Sequence, residues 1–287
     1  MAYHSLSGLI NKCKKNNLEI WQVVIKEQSR ETLEDENVIF NRMKDMFLVM
    51  KETLESYDKS SKSHSNMAGG DGEKIHEYNQ NANNLLGSFL SEVIENAVKI
   101  AESNACMKRI VAAPTAGSCG VIPAVLISYQ NKFNISDDEI TKALLVSAGI
   151  GSIIAENASI SGAKGGCQAE IGSASAMAAG AVAYLESKDN QKISNAVAFA
   201  IKNMMGLVCD PVAGLVEVPC IKRNAAGAVN AVTSAYMALC GINSVIPADE
   251  VIGAMDEVGK NLPSCYKETS LGGLAVTPTA KKIAKSL

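Results

Sequence analysis

Three of the eight cysteines in this chain of 287 residues stand where a thiol could do chemistry. Cys167 follows Gly165 and Gly166 and opens a long run of small residues, so it is expected at a helix start, where the dipole favours a thiolate. Cys209 precedes Asp210 and Pro211, and Cys220 follows Pro219; the prolines keep both thiols out of a helix interior. Cys240 and Cys106 read instead as apolar thiols within helices, the common fate of a free cysteine. A thiol in a glycine- or proline-flanked loop suits a nucleophile or a metal ligand. Four cysteine ligands would close a structural zinc or electron-transfer cluster. Three would leave one iron of a cubane open, as a Lewis acid able to bind a hydroxyl and a carboxylate. No compact CxxCxxC is present, so spacing alone leaves cluster ligand, nucleophile and buried thiol all open.

Other loops are equally distinctive. Residues 112–123 read AAPTAGSCGVIP and lead into an apolar helical run. Small residues let backbone approach a bound group, and N–H groups at a helix start suit a carboxylate; a tight turn between packed helices is the plain alternative. Lys164, three residues before Cys167, raises the possibility of a Schiff base with pyridoxal phosphate. Such enzymes need sheet-based phosphate loops, and the alternating strand and helix pattern that supplies them is missing here, so no pyridoxal phosphate is expected. Residues 60–72 (SSKSHSNMAGGDG) have the composition of a flexible linker.

The elements that must position these loops are helices. Hydrophobic residues make up 47% of the chain but aromatic ones only 5%, with 22 glycines, a mixture suited to closely packed helices rather than a β-sandwich. Ile39, Met43, Met46, Phe47, Met50 and Leu54 form one stripe over 33–57, and Phe89, Val93, Ala97 and Ile100 form another. Ser136 with Glu139 fits a capping box, Asn190 a cap, and Pro247 with Asp249 and Glu250 a helix start. No sustained period-2 alternation appears. The expected fold is all-α: one compact, mostly helical domain over 1–287, with an N-terminal helical region (1–59), the Ser/Gly loop (60–72) and a core (73–287). A net charge of −3 without a basic stripe argues against nucleic acid. The apolar runs 143–155 and 171–185 are too short to span a bilayer. Without a basic start, apolar run and cleavage site near Met1, a cytoplasmic, reducing setting is expected, where eight cysteines do not imply disulfides.

The segments APTAGSCGVIPAVL, SGAKGGCQAEIGSASAMAAG, MMGLVCDPVAGLVEVPCIKRNA and ETSLGGLAVTPT together resemble the α subunit of the iron–sulfur-dependent L-serine dehydratases, from about Met67 to the C-terminus. The resemblance implies a helical catalytic domain with a 4Fe–4S cluster held by Cys167, Cys209 and Cys220. It implies conversion of L-serine to pyruvate and ammonia, in amino-acid degradation and gluconeogenesis. It also implies a separate β subunit and an oligomer of αβ units. For the substrate carboxylate, Thr115, Gly117 and Ser118 are the candidates. Arg223 and Asn224 could orient that carboxylate or hydrogen-bond the cluster sulfurs; for Arg223 an ordinary ion pair is the alternative. The loop at 67–71 resembles a Gly-Gly-Asp element near the family's active site. Lys164 departs from the acidic residue expected there, and no general base is identified: His64 reads as a surface histidine, and the base could belong to the β chain. Rival readings are an iron–sulfur L-cysteine desulfidase on the same scaffold and a non-catalytic helical partner with merely buried thiols.

Overall fold

Local signals set the helix boundaries in a computed structural model that describes residues 3–80 and 84–287. Met1 and Ala2, the first two of the residues 1–8 over which no leader is expected, lie outside the described residues. Thirteen helices occur among the described residues: α1 (Leu6–Asn16), α2 (Ile20–Thr32), α3 (Glu36–Glu55), α4 (Asp71–Asn79), α5 (Gly87–Ala105), α6 (Val121–Phe133), α7 (Asp137–Asn157), the single turn α8 (Gly162–Gly165), α9 (Ser173–Ser187), α10 (Asn190–Met204), α11 (Cys220–Leu239), α12 (Ala248–Asn261) and α13 (Pro278–Ser286). No strand is present among them, only an isolated parallel bridge between Cys209 and Lys267. The fold is all-α, as expected.

Ser136 caps α7, its Oγ accepting from the Glu139 N–H at 3.3 Å, and Asp137, Asp138 and Glu139 fill the first turn, where negative charge meets the helix dipole. The Glu139 carboxylate turns to Lys142 rather than back to the cap. The cap of α10 is Asp189, one residue before the expected Asn190; its carboxylate accepts from Gln191 N–H at 2.7 Å and Lys192 N–H at 3.1 Å, leaving Asn190 as the first helical residue. Helix α12 begins after Pro247 with Asp249 and Glu250 in its first turn. Asp249 also accepts from the N–H groups of Leu6 (2.6 Å) and Ser7 (3.0 Å), capping α1 from across the fold.

The centre of the molecule is α9. Every residue from Ser173 to Tyr184 is buried, and α6, α7, α10 and α11 pack around it. A helix apolar on all sides belongs in a core, and alanine, glycine and serine let its neighbours come close. Tyr184 carries its hydroxyl out to the Glu19 carboxylate at 2.6 Å. Tyr3, Leu6, Leu9, Val24, Phe47 and Met50, all from the first sixty residues, share one continuous apolar cluster with α5 to α7 and α9 to α12. In α3 the buried stripe is narrower than the spacing predicts: Ile39, Phe47 and Met50 are buried but Met46 is exposed.

Two expectations are corrected. Cys240 is exposed and Cys106 half-exposed, because each sits at a C-cap, where a helix reaches the surface and its last carbonyls turn to solvent. The loop 60–72 is built rather than linker-like. Buried Glu102 accepts from the N–H groups of Gly69 (3.2 Å), Asp71 (2.9 Å) and Gly72 (3.1 Å) and from the Tyr57 hydroxyl (2.6 Å). Ser63 and Ser65 donate to Glu217 at 2.7 and 2.6 Å. Composition predicts a linker only when nothing elsewhere offers partners; two buried carboxylates far along the chain do so here.

Candidate functional site

The three singled-out cysteines converge. Cys167 ends the turn after α8 and leads, through one stretch of π-helix (Gln168–Gly172), into α9. Cys209 lies in the loop after α10, its backbone paired on both sides with the 266–268 segment: its N–H donates to Tyr266 O and its carbonyl accepts from Glu268 N–H, each at 2.9 Å. Cys220 is the first residue of α11. All three thiols are buried. Burial pushes Cys167 up to about 11, where Arg223 opposes it, and Cys220 up to about 12; it raises Cys209 too. Charge on Cys167 raises both of the others, which makes the three neighbours in space.

Among the described residues, no three His, Cys, Asp or Glu side chains close around a single metal ion. A cubane makes a different demand, since each cysteine binds a different iron and the sulfurs need to ring the cluster rather than meet at a point. Three buried thiols on separate backbone segments supply the donor chemistry such a cluster takes. Burial, and repulsion between the thiolates they would form, keep these thiols neutral on their own, and binding to iron is what would stabilise them as thiolates.

Arg223 lies against this group. Its Nη1 donates to Val208 O at 2.8 Å, its Nη2 lies 2.9 Å from Asp210 Oδ1, and it reaches the Cys167 sulfur. Both members of the Arg223–Asp210 pair are largely buried. Asp210 also accepts from Leu274 N–H at 2.8 Å through Oδ2, tying the GGLAVTPT segment to the Cys209 loop. Asn224 is fully engaged by backbone. Its Oδ1 accepts from Gly120 N–H (2.9 Å), and its Nδ2 donates to Gly117 O (2.7 Å) and Cys220 O (3.0 Å). It therefore braces the 115–120 turn against the start of α11, which leaves its amide no capacity for a substrate carboxylate.

Thr115 and Ser118 bracket a short 3₁₀ turn (Ala116–Ser118) and cap each other across it. The Thr115 hydroxyl donates to Glu170 Oε1 in a short hydrogen bond. Glu170 is the residue that sequence reasoning passed over. It sits three residues after Cys167, half-buried, between the Thr115 turn and the Cys209 loop. A Cβ added at Gly117 would lie 2.6 Å from Glu170 Oε1, and one added at Gly162 would lie 2.9 Å from Cys209 Sγ and 3.6 Å from Glu170 Oε2. Only glycine lets this carboxylate and this thiol stand so close to the two turns. Burial raises the Glu170 carboxyl above its ordinary range; the Thr115 hydroxyl opposes the rise and Glu268 adds to it. One signal could have found it: Glu170 is the single charged residue between Cys167 and Tyr184.

The loop at 67–71 lies against the start of α11. Ala68 packs with Ile221, and Asp71 pairs with Lys222 at 2.5 Å, so the Gly-Gly-Asp segment borders the residues that follow Cys220. His64 is exposed. Lys164 is exposed in a separate cleft of about 270 Å³ with Ser159, Asp256 and Lys260. Among the described residues, no helix is long and apolar enough to cross a membrane.

The serine dehydratase alpha chain family model matches residues 15–275. A probable L-serine dehydratase alpha chain of Bacillus subtilis (strain 168) is 41% identical over 285 residues, 99% of this chain and 95% of that protein. The L-serine dehydratase alpha chain of Peptoniphilus asaccharolyticus is 39% identical over 278 residues, 96% of this chain and 95% of that one. An L-serine dehydratase of Helicobacter pylori (strain J99) is 36% identical over 281 residues, which cover 96% of this chain but 62% of that longer protein. Matched by the family model over most of its length and by these relatives over nearly all of it, the chain belongs to the serine dehydratase alpha chain family.

Proposed function

We propose that the chain is the alpha subunit of an L-serine dehydratase, converting L-serine to pyruvate and ammonia with a 4Fe–4S cluster held by Cys167, Cys209 and Cys220. The observation that carries the reading is the grouping of these three buried thiols, from loops far apart in sequence, in a chain similar over nearly its whole length to L-serine dehydratase alpha chains. When bound, the cluster would supply an open iron, a Lewis acid for the hydroxyl that must leave.

The chain's own residues do the rest. Cys167 and Cys220, at a helix approach and a helix start, hold their sulfurs on rigid backbone, and the 266–268 segment clamps the loop of Cys209. Arg223, kept in place by Asp210 and Val208, donates toward the Cys167 sulfur and limits the build-up of negative charge. The Thr115–Ser118 turn, braced by Asn224, presents the Gly117 and Ser118 region to the substrate carboxylate. Loss of the α-proton and of water from serine leaves aminoacrylate, whose imine tautomer hydrolyses to pyruvate and ammonia. The proton acceptor is assigned to a separate beta chain. The alpha-chain names of the relatives and the longer Helicobacter pylori protein support a second polypeptide here, completing an αβ unit.

The test is iron and sulfide content after anaerobic co-expression with a β-type chain, followed by a pyruvate assay on L-serine. About four irons per chain with oxygen-labile pyruvate release is expected. Cys167→Ser, Cys209→Ser and Cys220→Ser should each abolish both. Serine turnover without iron would overturn the cluster; iron with turnover of L-cysteine alone would move the substrate.

A further inference from the structure

The α-ammonium of an amino-acid substrate needs a negatively charged partner, and the region around the cysteines contains one that nothing yet described uses. Glu170 stands between the Thr115 turn and the Cys209 loop, with Oε1 taken by the Thr115 hydroxyl. Among the described residues no hydrogen bond reaches its Oε2, which lies between the two glycine turns, 2.9 Å from a Cβ placed on Gly117 and 3.6 Å from one placed on Gly162. The nearby guanidinium of Arg223 is already committed to Asp210, Val208 O and the Cys167 sulfur. A half-buried carboxylate beside three cysteines, without a cation of its own, repels a substrate carboxylate and attracts an ammonium.

We propose that Oε2 of Glu170 accepts the α-ammonium of the substrate, and that the Thr115 hydroxyl, bound to Oε1, is the positioning group that aims it. The inference rests on the dehydratase reading and adds to it a selection rule: the site takes α-amino acids and discriminates against the same carbon skeleton without the amine. The substrate then lies with its ammonium toward Glu170 and its carboxylate toward the Gly117–Ser118 side of the same turn. Thr115, whose hydroxyl hydrogen is spent on Glu170, serves the ammonium end rather than the carboxylate. The glycines at 117 and 162 are explained by the same arrangement, since a side chain at either would displace the carboxylate or the Cys209 sulfur.

The experiment uses the anaerobically loaded enzyme with its β chain, and compares KM for L-serine with the inhibition constant of 3-hydroxypropionate, which is serine without its amine. Loss of one charge-assisted hydrogen bond is worth about 10- to 100-fold. Glu170→Gln should raise KM for L-serine by about that factor and leave the inhibition constant of 3-hydroxypropionate within about twofold. Thr115→Val should shift KM in the same sense by a smaller factor, and Thr115→Ser should restore it. Iron content and far-UV circular dichroism establish that each variant is folded and loaded. If Glu170→Gln fails either check, Thr115→Val decides by the same split between the two ligands. Equal weakening of both ligands would overturn the proposal in favour of a purely structural carboxylate, and so would no change in either. A wild-type enzyme that releases no pyruvate from L-serine would be a different failure, seen before any variant is made, and would overturn the dehydratase reading together with the inference built on it.

Discussion

At the level of single side chains, the most demanding arrangement near the cysteines is Asp210, a buried carboxylate whose charge is met by Arg223. The 2.9 Å contact brings the charges together without hydrogen-bond alignment at Asp210 Oδ1, so the pairing is mainly electrostatic. Removing one member of a buried pair leaves an uncompensated charge, at about 3–5 kcal/mol. Arg223→Met is expected to destabilise the iron-free chain by roughly that amount, and Asp210→Asn on top of it to recover most of the loss; urea unfolding measures both. Equal destabilisation in the single and double variants would mean that Arg223 acts through packing alone. Asp71 supplies a second test at this scale. Hydrogen bonds from Lys222 and Lys74 hold its carboxyl down at about 2, against 3.8 for the ordinary group. A depressed value contributes stability that is fully present above 3.8 and disappears as the pH falls through 3.8 toward about 2. After allowance for solvent screening this is roughly 1 kcal/mol. Asp71→Asn should therefore be less stable than wild type at pH 5 and indistinguishable from it at pH 2, in paired denaturant titrations. A gap that is the same at both pH values would rule out the carboxylate charge as its source.

At the level of elements, the loop 60–72 carries the main lesson. Its serines and glycines are those of a linker, yet Glu102 of α5 and Glu217 before α11 hold it against the body. Glu102→Ala removes the acceptor for three backbone N–H groups and the Tyr57 hydroxyl, and is expected to cost about 2–4 kcal/mol. Amide hydrogen exchange should speed up through 63–72 well before it does in α9; protection in that loop equal to wild type would mean that Glu102 does not hold it. The helices were more readable than the loop. Ser136 and Pro247 mark their helix starts because a cap or an N-terminal proline acts within one turn of chain. Asn190 misled by one residue because Asp189 beside it is also a capping residue, and only the backbone conformation chooses between them. Cys240 misled because an apolar thiol in a helical pattern looks the same whether its turn lies inside the core or at its edge.

At the level of the whole molecule, the first sixty residues and the rest share one apolar cluster, with Leu9 and Val24 reaching Gly149 of α7. We take the chain as a single cooperative unit on this basis. The sole tryptophan, Trp21, lies in α2 and reports on the N-terminal helices, while far-UV circular dichroism reports on all of them. Urea transitions followed by the two signals should coincide. A fluorescence transition at clearly lower urea would divide the chain into two units instead.

The sequence by itself determined the helical class, the small-residue apolar run that becomes α9, and the loop or helix-start positions of Cys167, Cys209 and Cys220. These follow from local rules: side-chain size, hydrophobic period, and the effect of proline and glycine on the few residues beside them. The family resemblance was legible for the same reason, because its motifs are continuous segments. What only the tertiary structure decided is everything that depends on which loops meet. Asn224 turned from a candidate for the substrate into a brace because Gly117, Gly120 and Cys220 surround its amide. Arg223 found Asp210, and Glu170 emerged from an apolar stretch because Thr115 and two glycines face it. Hydrogen bonds and charges act over a few ångströms, whereas Thr115 and Glu170 are 55 residues apart along the chain, and folding alone brings them into range.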